Sequence, residues 1–211
     1  MDRRVLMIAI VDYGMGNLLS VYHALEMIGS EPKICTAPEE LREAERIILP
    51  GVGAFRDCIQ SLRKHGFVEA LAEEILRKGK PLLAICLGLQ VLGRRSFEGG
   101  EHEGFGWFQA DVVRLQPQDP ALRVPQIGWN DVDHRAGSPL FANVPPHADF
   151  YFVHSYYLRC DDPGDVEAQC DYGGPVTAAV RKNNIFATQF HPEKSQDFGL
   201  RVLDNFVRWK D

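Results

Sequence analysis

The stretch Lys80-Pro-Leu-Leu-Ala-Ile-Cys86-Leu-Gly-Leu-Gln-Val-Leu92 decides how the whole chain is interpreted. Pro81 to Ile85 is a short apolar run with the length of a buried strand, and the residues after Cys86 have a helical pattern. Cys86 therefore stands at a strand-to-helix junction, the position of the nucleophile in a nucleophile elbow. The small residues Ala84 and Gly88 suit that tight turn, and a helix N-terminus stabilises a thiolate. The pattern predicts a nucleophile; the alternative is an ordinary small buried cysteine.

The composition is typical of a soluble globular protein, and we expect a single domain over residues 1–211. The net charge of −6 argues against nucleic acid as a partner. The apolar run from Val5 to Val11 is too short to span a membrane and lacks a signal-peptide cleavage pattern. Five cysteines without a CxxC spacing indicate neither disulfides nor a zinc site, so we expect a cytoplasmic protein without metal or cofactor.

The first half alternates strands with helices. Strands are predicted at Val5 to Val11 and Arg46 to Leu49, and a helix is predicted at Leu18 to Ile28. The loop after the first strand contains Gly-x-Gly, but Leu19 stands where the third glycine of a dinucleotide-binding fingerprint would be. This half therefore predicts a parallel sheet without a nucleotide site.

The segment Pro50-Gly-Val-Gly-Ala-Phe55 follows the strand next to the elbow strand. Its glycines permit unusual backbone angles and a close approach of backbone N–H groups to a ligand. Because neighbouring parallel strands place their following loops at one sheet edge, this segment is a candidate oxyanion loop beside Cys86. The alternative is a plain turn into the next helix.

The second half has a different character, with short strands and no long helices between them. A final helix is predicted from Gln196 to Trp209, capped by Ser195 and with Phe198, Val202, Phe206 and Trp209 on its apolar stripe. The predicted fold class is α/β: a flavodoxin-like open sheet, mainly parallel in the first half, with antiparallel strands added in the second and helices on both faces. The antiparallel strands are expected at residues 108–115, 125–133, 150–158, 166–170 and 175–181, and a further strand is expected at residues 185–189.

His191 and Glu193 are two residues apart at the end of the last strand. That spacing lets the carboxylate hold the imidazole in one tautomer and stabilise its charged form. Alone, such a pair is more often a solvated surface pair. Together with an elbow cysteine it completes a nucleophile, a base and an orienting group.

Several segments together carry a resemblance to the class I (triad) glutamine amidotransferases, and within them to the glutaminase subunits of imidazole glycerol phosphate synthase. It extends from about Met7 to Trp209, and the one departure noted is Ala84, where the family usually has glycine. The segments are Asp12-Tyr-Gly-Met-Gly-Asn-Leu18, Pro50-Gly-Val-Gly-Ala-Phe55, Ala84-Ile-Cys86-Leu-Gly88-Leu-Gln90, Gly128-Trp-Asn130, Tyr151-Phe-Val-His-Ser-Tyr156 and Thr188-Gln-Phe-His-Pro-Glu-Lys-Ser195.

The resemblance implies that Cys86 attacks the side-chain carboxamide of L-glutamine, that His191 transfers the proton, and that Glu193 orients His191. It further implies an oxyanion site at Val52, Gly53 and the N–H of Leu87. The residues expected to contact the substrate are Gly51, Gln90, Glu98, Tyr151, His154 and Ser155, although Tyr151 and His154 could serve only strand packing.

By the same resemblance, the partner is a (β/α)8-barrel cyclase subunit, and the two form a heterodimer. Ammonia would pass to it to yield imidazole glycerol phosphate and an aminoimidazole carboxamide ribotide in histidine biosynthesis. Asn17, Trp129 and Lys194 are expected to face that barrel. Because the glycines around Val52 make a peptide flip cheap, we expect the partner to turn the oxyanion N–H into place.

Three alternatives stay open from the sequence. One is another amidotransferase of the class, serving anthranilate, guanylate or pyridoxal phosphate synthesis. Another is a non-enzymatic binding subunit on the same fold, since fold alone does not fix function. The third is a generic cysteine esterase or peptidase, which the elbow alone also permits.

Overall fold

A computed structural model describes residues 6 to 210 of the chain; Val5, predicted to begin the first strand, lies outside them. The helices are α1 Leu18–Met27, α2 Phe55–Lys64, α3 Phe67–Leu71 with a π-helical continuation Ala72–Arg77, α4 Leu87–Gln90 and α5 Gln196–Arg208; 3₁₀ turns occupy Pro38–Arg42, Pro163–Asp165 and Pro192–Lys194. The strands are β1 Met7–Val11, β2 Glu31–Cys35, β3 Arg46–Gly51, β4 Leu82–Cys86, β5 Arg95–Ser96, β6 His102–Glu103, β7 Ala110–Arg114, β8 Gln126–His134, β9 Ala148–His154, β10 Tyr156–Cys160, β11 Val166–Asp171, β12 Pro175–Lys182 and β13 Ile185–Thr188.

The main sheet has the strand order β2-β1-β3-β4-β13-β12-β11-β8-β9. Five adjacent strands are parallel to one another, namely β2, β1, β3, β4 and β13. The other four, β12, β11, β8 and β9, follow with antiparallel pairing. The order β2-β1-β3-β4 is that of flavodoxin-like sheets. The predicted fold class, a parallel half extended by antiparallel strands, is confirmed.

Successive residues of each parallel strand face opposite sides of the sheet, so both sides are apolar and both need cover. Ile8 and Ile10 of β1 pack in the cluster that contains the buried residues of α1 and α5. Ala9 and Val11 of the same strand pack with α2 and α3 on the other side. Helices therefore cover both faces, as predicted. Among the described residues, no helix combines the length and apolar character needed to cross a bilayer.

Three details differ from the sequence prediction. The expected strand from Phe150 to Leu158 divides at Ser155, because β9 belongs to the main sheet and β10 to a second sheet of order β10-β7-β5-β6. Residues 94–106, whose many Gly, Glu and Arg residues are typical of a loop, supply β5 and β6 to that sheet. On α5, Phe198 is 38% exposed and Leu203 is buried in its place.

The elbow forms where β4 meets α4, and Gly88 permits the close approach of α4 to β3. A Cβ atom added to Gly88 would lie 2.1 Å from the backbone oxygen of Leu49. We expect Gly88→Ala to lower the free energy of unfolding by about 3 kcal/mol, because backbone cannot move away as a side chain can. Denaturation by urea measures this.

Gly16→Ala is the matched control for that variant. Its added methyl would meet only side-chain atoms of Leu18 and Pro50, at 3.2 and 3.3 Å, so its loss of stability should be much smaller. Equal urea midpoints for the two variants would contradict the packing ascribed to the elbow.

Candidate active site

Cys86 ends β4 in a backbone conformation that side chains rarely adopt, with φ 55° and ψ −107°. A positive φ at a non-glycine residue costs about 1–3 kcal/mol and persists only where the surroundings impose it. Here Gly51 of β3 pairs with Cys86, and a Cβ on Gly51 would lie 2.7 Å from the backbone nitrogen of Gly88. The packing of two glycines thus holds the cysteine in the strained turn that the sequence predicted.

The elbow opens on a cavity of about 390 Å³ at the carboxyl ends of the parallel strands. Most of the predicted site residues meet there, although they come from distant parts of the chain. The lining residues are Val52, Gly53, Cys86, Leu87, Gln90, Glu98, Pro125, Val153, His154, Ser155, Tyr156 and His191.

His191 and Glu193 form a buried pair directly after β13. Nδ1 of His191 lies 2.8 Å from Oε1 of Glu193, and the two side chains are 2% and 1% exposed. A carboxylate only accepts hydrogen bonds, so Nδ1 donates and Nε2 is the nitrogen left for chemistry. Nε2 is buried without a hydrogen-bond partner among the described residues.

Two opposed influences act on the pKa of His191, and their net result is a rise to about 10. Burial lowers the pKa, and the neighbouring Cys86 and Glu193 outweigh it by stabilising the imidazolium. Cys86 and His191 line the same cavity. The surroundings of His191 therefore favour the charged imidazolium form of its ring.

The predicted oxyanion loop is held from both ends. The hydroxyl of Tyr13 donates to the carbonyl oxygen of Pro50 at 2.9 Å, and Glu98 accepts from the N–H of Phe55 at 2.8 Å. Between these anchors Val52 is 39% exposed, and Gly53 has φ 100°, a conformation that glycine adopts freely. The loop is therefore anchored at both ends, and its centre is exposed with a glycine at positive φ.

His154 lies on the cavity wall as a neutral imidazole. Its pKa is lowered to about 4, mainly by burial and further by the charge of His191. A hydrogen bond to the backbone of Tyr156 acts in the opposite direction but is outweighed. Nδ1 lies 2.9 Å from the carbonyl oxygen of Tyr156, to which it donates, and Nε2 lies 3.1 Å from Oε1 of Gln126. A neutral ring donates only once, so we assign the Gln126 amide turned over, with its nitrogen donating to Nε2; this also gives a partner to that nitrogen, which otherwise has none among the described residues.

A group whose pKa falls on folding stabilises the protein above its unfolded pKa, here 6.5, and loses that contribution as the pH falls through its folded pKa. Wild type should therefore lose about 3 kcal/mol relative to His154→Gln between pH 6.5 and pH 4. Guanidinium denaturation of both proteins across that range measures the difference. Parallel curves would contradict a neutral buried His154.

Two predicted substrate contacts are not brought to the cavity. Gly51 is buried beneath the elbow, where its missing side chain makes room for Leu87 and Gly88. Tyr151 does not line the cavity; its ring packs 5.9 Å from that of Trp129, its cross-strand partner on β8, and 5.8 Å from the ammonium of Lys194. Tyr151 thus joins the predicted partner-facing residues.

Ser195 connects the backbone of Tyr151 to the backbone of His191 through hydrogen bonds. The N–H of His191 donates to the carbonyl oxygen of Tyr151 at 2.9 Å, and the Ser195 hydroxyl donates to the carbonyl oxygen of His191 at 2.6 Å. The same hydroxyl accepts from the N–H of Tyr151 at 3.0 Å. Ser195 precedes α5 as predicted, but its side chain makes no helix cap because these two bonds occupy it. Asn17 precedes α1, also without a side-chain cap.

The sequence interpretation missed Gln189, Gln126, Pro125, Val153 and the lining role of Tyr156. Gln189 is fully buried and donates from Nε2 to the sulfur of Cys86 at 3.6 Å. Its signal was a polar residue directly after an apolar strand and two residues before His191. Such a residue must find buried hydrogen-bond partners, and this one finds them in the site.

Comparison with known proteins agrees with the geometry. The family model described as glutamine amidotransferase class-I matches residues 9–209. The imidazole glycerol phosphate synthase subunit HisH 1 of Campylobacter jejuni (strain RM1221) is 45% identical over 202 residues, covering 96% of this chain and all of that protein (100%). Subunit HisH of Mesorhizobium japonicum is 46% identical over 215 residues, covering 96% and 99%.

Solved structures show the same fold at lower identity. PurLQS from Thermotoga maritima superposes with a TM-score of 0.74 at 20% identity, covering 96% of this chain and 98% of that one. A glutamine amidotransferase from the same organism gives 0.61 at 16% identity, covering 97% and 84%. At such identity these two similarities concern the fold alone.

Proposed function

The chain belongs to the class I glutamine amidotransferases, and on that premise we propose that it is the glutamine-hydrolysing subunit of an imidazole glycerol phosphate synthase. The observation that carries the proposal is the meeting of a strained elbow cysteine, Cys86, with the buried His191–Glu193 pair at one cavity. Near-full-length similarity to proteins named as subunits of that synthase supports the particular reaction.

In the proposed mechanism, the sulfur of Cys86 attacks the carboxamide carbon of L-glutamine. The thiol proton, taken up by Nε2 of His191, passes to the leaving nitrogen, so that ammonia departs and a glutamyl thioester remains. Water then attacks the thioester, with His191 accepting a proton from it and returning that proton to sulfur as glutamate leaves. Glu193 keeps Nδ1 engaged throughout, so that Nε2 faces the reaction.

The negative charge on the substrate oxygen would be held by the N–H of Leu87 and by the Val52–Gly53 peptide. Loss of one such donor typically lowers the rate by about 100- to 1000-fold. Gln90, Glu98, His154 and Ser155, all on the cavity wall, are proposed to contact the substrate. Glu98 would pair with its α-amino group while holding the first N–H of α2.

The ammonia would pass to a (β/α)8-barrel cyclase subunit bound as a heterodimer, where imidazole glycerol phosphate and the aminoimidazole carboxamide ribotide form. Asn17, Trp129 and Lys194 are proposed to face that subunit. Lys194 follows Glu193 directly, and Ser195 links the neighbouring Tyr151 backbone to His191. Docking could thus be transmitted to the triad. We further propose a single domain over residues 1–211, acting in the cytoplasm in histidine biosynthesis.

The testing experiment measures glutamine hydrolysis by the purified chain alone, with the cyclase, and with the cyclase and its nucleotide ligand. We expect low turnover alone and full turnover in the liganded complex, because the partner turns the oxyanion peptide. Full turnover by the chain alone, unchanged by the partner, would refute that regulation. Recovery of a synthetase domain in place of a lone cyclase as the native partner would favour another member of the class.

A further inference from the structure

Gln189 is a buried polar residue that the mechanism above does not use. It directly follows β13, whose parallel register pairs Thr188 with Ile85 of β4. The next residue on each strand is therefore Gln189 beside Cys86, at the same level of the sheet. The side chain of Gln189 has no exposure to solvent, so both ends of its amide must be satisfied inside the protein.

Hydrogen bonds fix which end of that amide faces the sulfur. Nε2 of Gln90 donates to the carbonyl oxygen of Tyr156 at 2.8 Å and to Oε1 of Gln189 at 3.1 Å. Two acceptors around one atom require that atom to be the amide nitrogen. Oε1 of Gln189 is thereby engaged, and Nε2 is the end that points at the sulfur, 3.6 Å away. The direction is thus set by a backbone carbonyl.

The sulfur has a different neighbour for each of its protonation states. As a thiol it can donate weakly to the carbonyl oxygen of Val153, at 4.0 Å. A thiolate has no proton to donate to Val153. It is instead a strong acceptor for the N–H of Gln189, because hydrogen bonds to ionised groups are stronger than those between neutral groups. The arrangement therefore favours the thiolate over the thiol.

We propose that Gln189 positions the nucleophile by holding the Cys86 sulfur and stabilising its thiolate, and that Gln90 orients Gln189 for this task. The inference deepens the proposed function and rests on it for the identity of the nucleophile. It also limits what Gln90 offers the substrate. Both of its amide hydrogens are used within the protein, so that only its oxygen is left to accept from glutamine.

Other titratable groups near the sulfur do not obscure a test near neutral pH. Burial raises the pKa of Cys58 to about 12, and burial, with Cys58 and Cys86 adding to it, raises the pKa of Tyr13 well above its usual value. Both stay neutral where the thiol is titrated, and so does His154 on the cavity wall, whose pKa burial lowers to about 4. Glu98 on the cavity wall and Glu193 behind His191 are unchanged in the variants below. His191 is the coupled partner, and it is unchanged in the variants below.

The test measures alkylation of Cys86 by iodoacetamide as a function of pH, followed by mass spectrometry of the cysteine peptide. Gln189→Met keeps the length of the side chain and removes the donor. We expect its half-maximal alkylation pH to rise by about one to two units, with a similar limiting rate at high pH. At neutral pH, kcat for glutamine in the complex should fall about 10- to 100-fold with little change in KM.

Gln169→Met is the matched control, since Gln169 is exposed on β11, two strands from β13 in the same sheet, and it should leave the alkylation midpoint unchanged. An unchanged midpoint in folded Gln189→Met would overturn the inference, because a merely structural role lowers stability without moving the midpoint. If the alkylation midpoint shifts in Gln189→Met but the unmutated chain in its complex hydrolyses no glutamine, the proposed function is refuted and this inference is not.

A measurement on the unmutated chain covers the case of a variant that does not fold. The side-chain amide resonances of Gln189 should shift with the same pH midpoint as Cys86 alkylation, and the shift should vanish in Cys86→Ala. If the chemical shifts of these resonances do not change as the sulfur titrates, the inference is overturned without any Gln189 variant.

Discussion

Replacement of Cys86 by alanine is expected to lower glutamine hydrolysis by about a million-fold, the scale of loss seen when a triad nucleophile is removed. The other site groups keep their places, but no atom remains to form the thioester. Turnover of glutamine by the complex with the cyclase, measured as glutamate released, gives the loss directly.

The same variant should still make product when ammonium is supplied, since the cyclase reaction needs only ammonia. Cys160→Ala is the control: this half-buried cysteine lies in β10 and does not line the cavity. Glutamine hydrolysis that persists in Cys86→Ala would remove the nucleophile assignment. Loss of the ammonium reaction as well would point to a disturbed complex.

His191→Gln is expected to lower kcat for glutamine by about 1000- to 10,000-fold, since the variant can neither hold the thiol proton nor deliver it to the leaving nitrogen. The matched control is His147→Gln. His147 also faces a carboxylate, with Nδ1 3.0 Å from Oδ2 of Asp131, but this pair is exposed and lies outside the cavity. Equal activity of the two variants would contradict the assigned base.

The raised pKa of His191 makes a second prediction for the same variant. A group whose pKa rises on folding, here from 6.5 to about 10, contributes stability that is fully present below pH 6.5 and is lost as the pH rises through 10. The stability advantage of wild type over His191→Gln should therefore shrink across that range. Denaturant midpoints at pH 6, 8 and 10 measure it, with the thiol and imidazole treated as one coupled pair.

The parallel half of the fold could be predicted because its strands are buried on both faces. Such strands appear as continuous apolar runs, and β1, β3 and β4 were predicted close to their observed bounds. Their common direction then placed the following loops at one edge. For this reason the sequence could bring together Val52 and Cys86. His191 reaches the same edge because β13 pairs parallel with β4, a direction that the sequence did not predict.

The antiparallel half depends on partners that no local pattern reveals. The run from Phe150 to Leu158 contains no glycine or proline that would end a strand, yet the chain leaves one sheet for the other at Ser155. The carbonyl oxygen of Ser155 accepts from the N–H of Leu115, next to β7 of the second sheet. This long-range bond, rather than any residue preference, ends β9 and begins β10.

Side-chain direction explains the remaining differences at the site. Tyr151 was expected at the substrate through the motif that contains it, but the register of β9 turns its ring to the surface beside Trp129. Gln189 was assigned only to a strand, because its contact with Cys86 depends on the register of β13 against β4. Motifs identify the residues of such a site, whereas strand register decides which of them reach the sulfur.

The most direct measurement treats the complex with a glutamine analogue that carries a diazoketone in place of the carboxamide, and then maps the labelled peptide by mass spectrometry. The Cys86 sulfur should attack the diazo carbon of the analogue, so that N2 leaves after the imidazolium of His191 has protonated that carbon. We predict one adduct, on Cys86, that excess glutamine prevents and that His191→Gln forms far more slowly. An unlabelled chain, or a label on another cysteine, would contradict an ammonia-releasing site at this elbow.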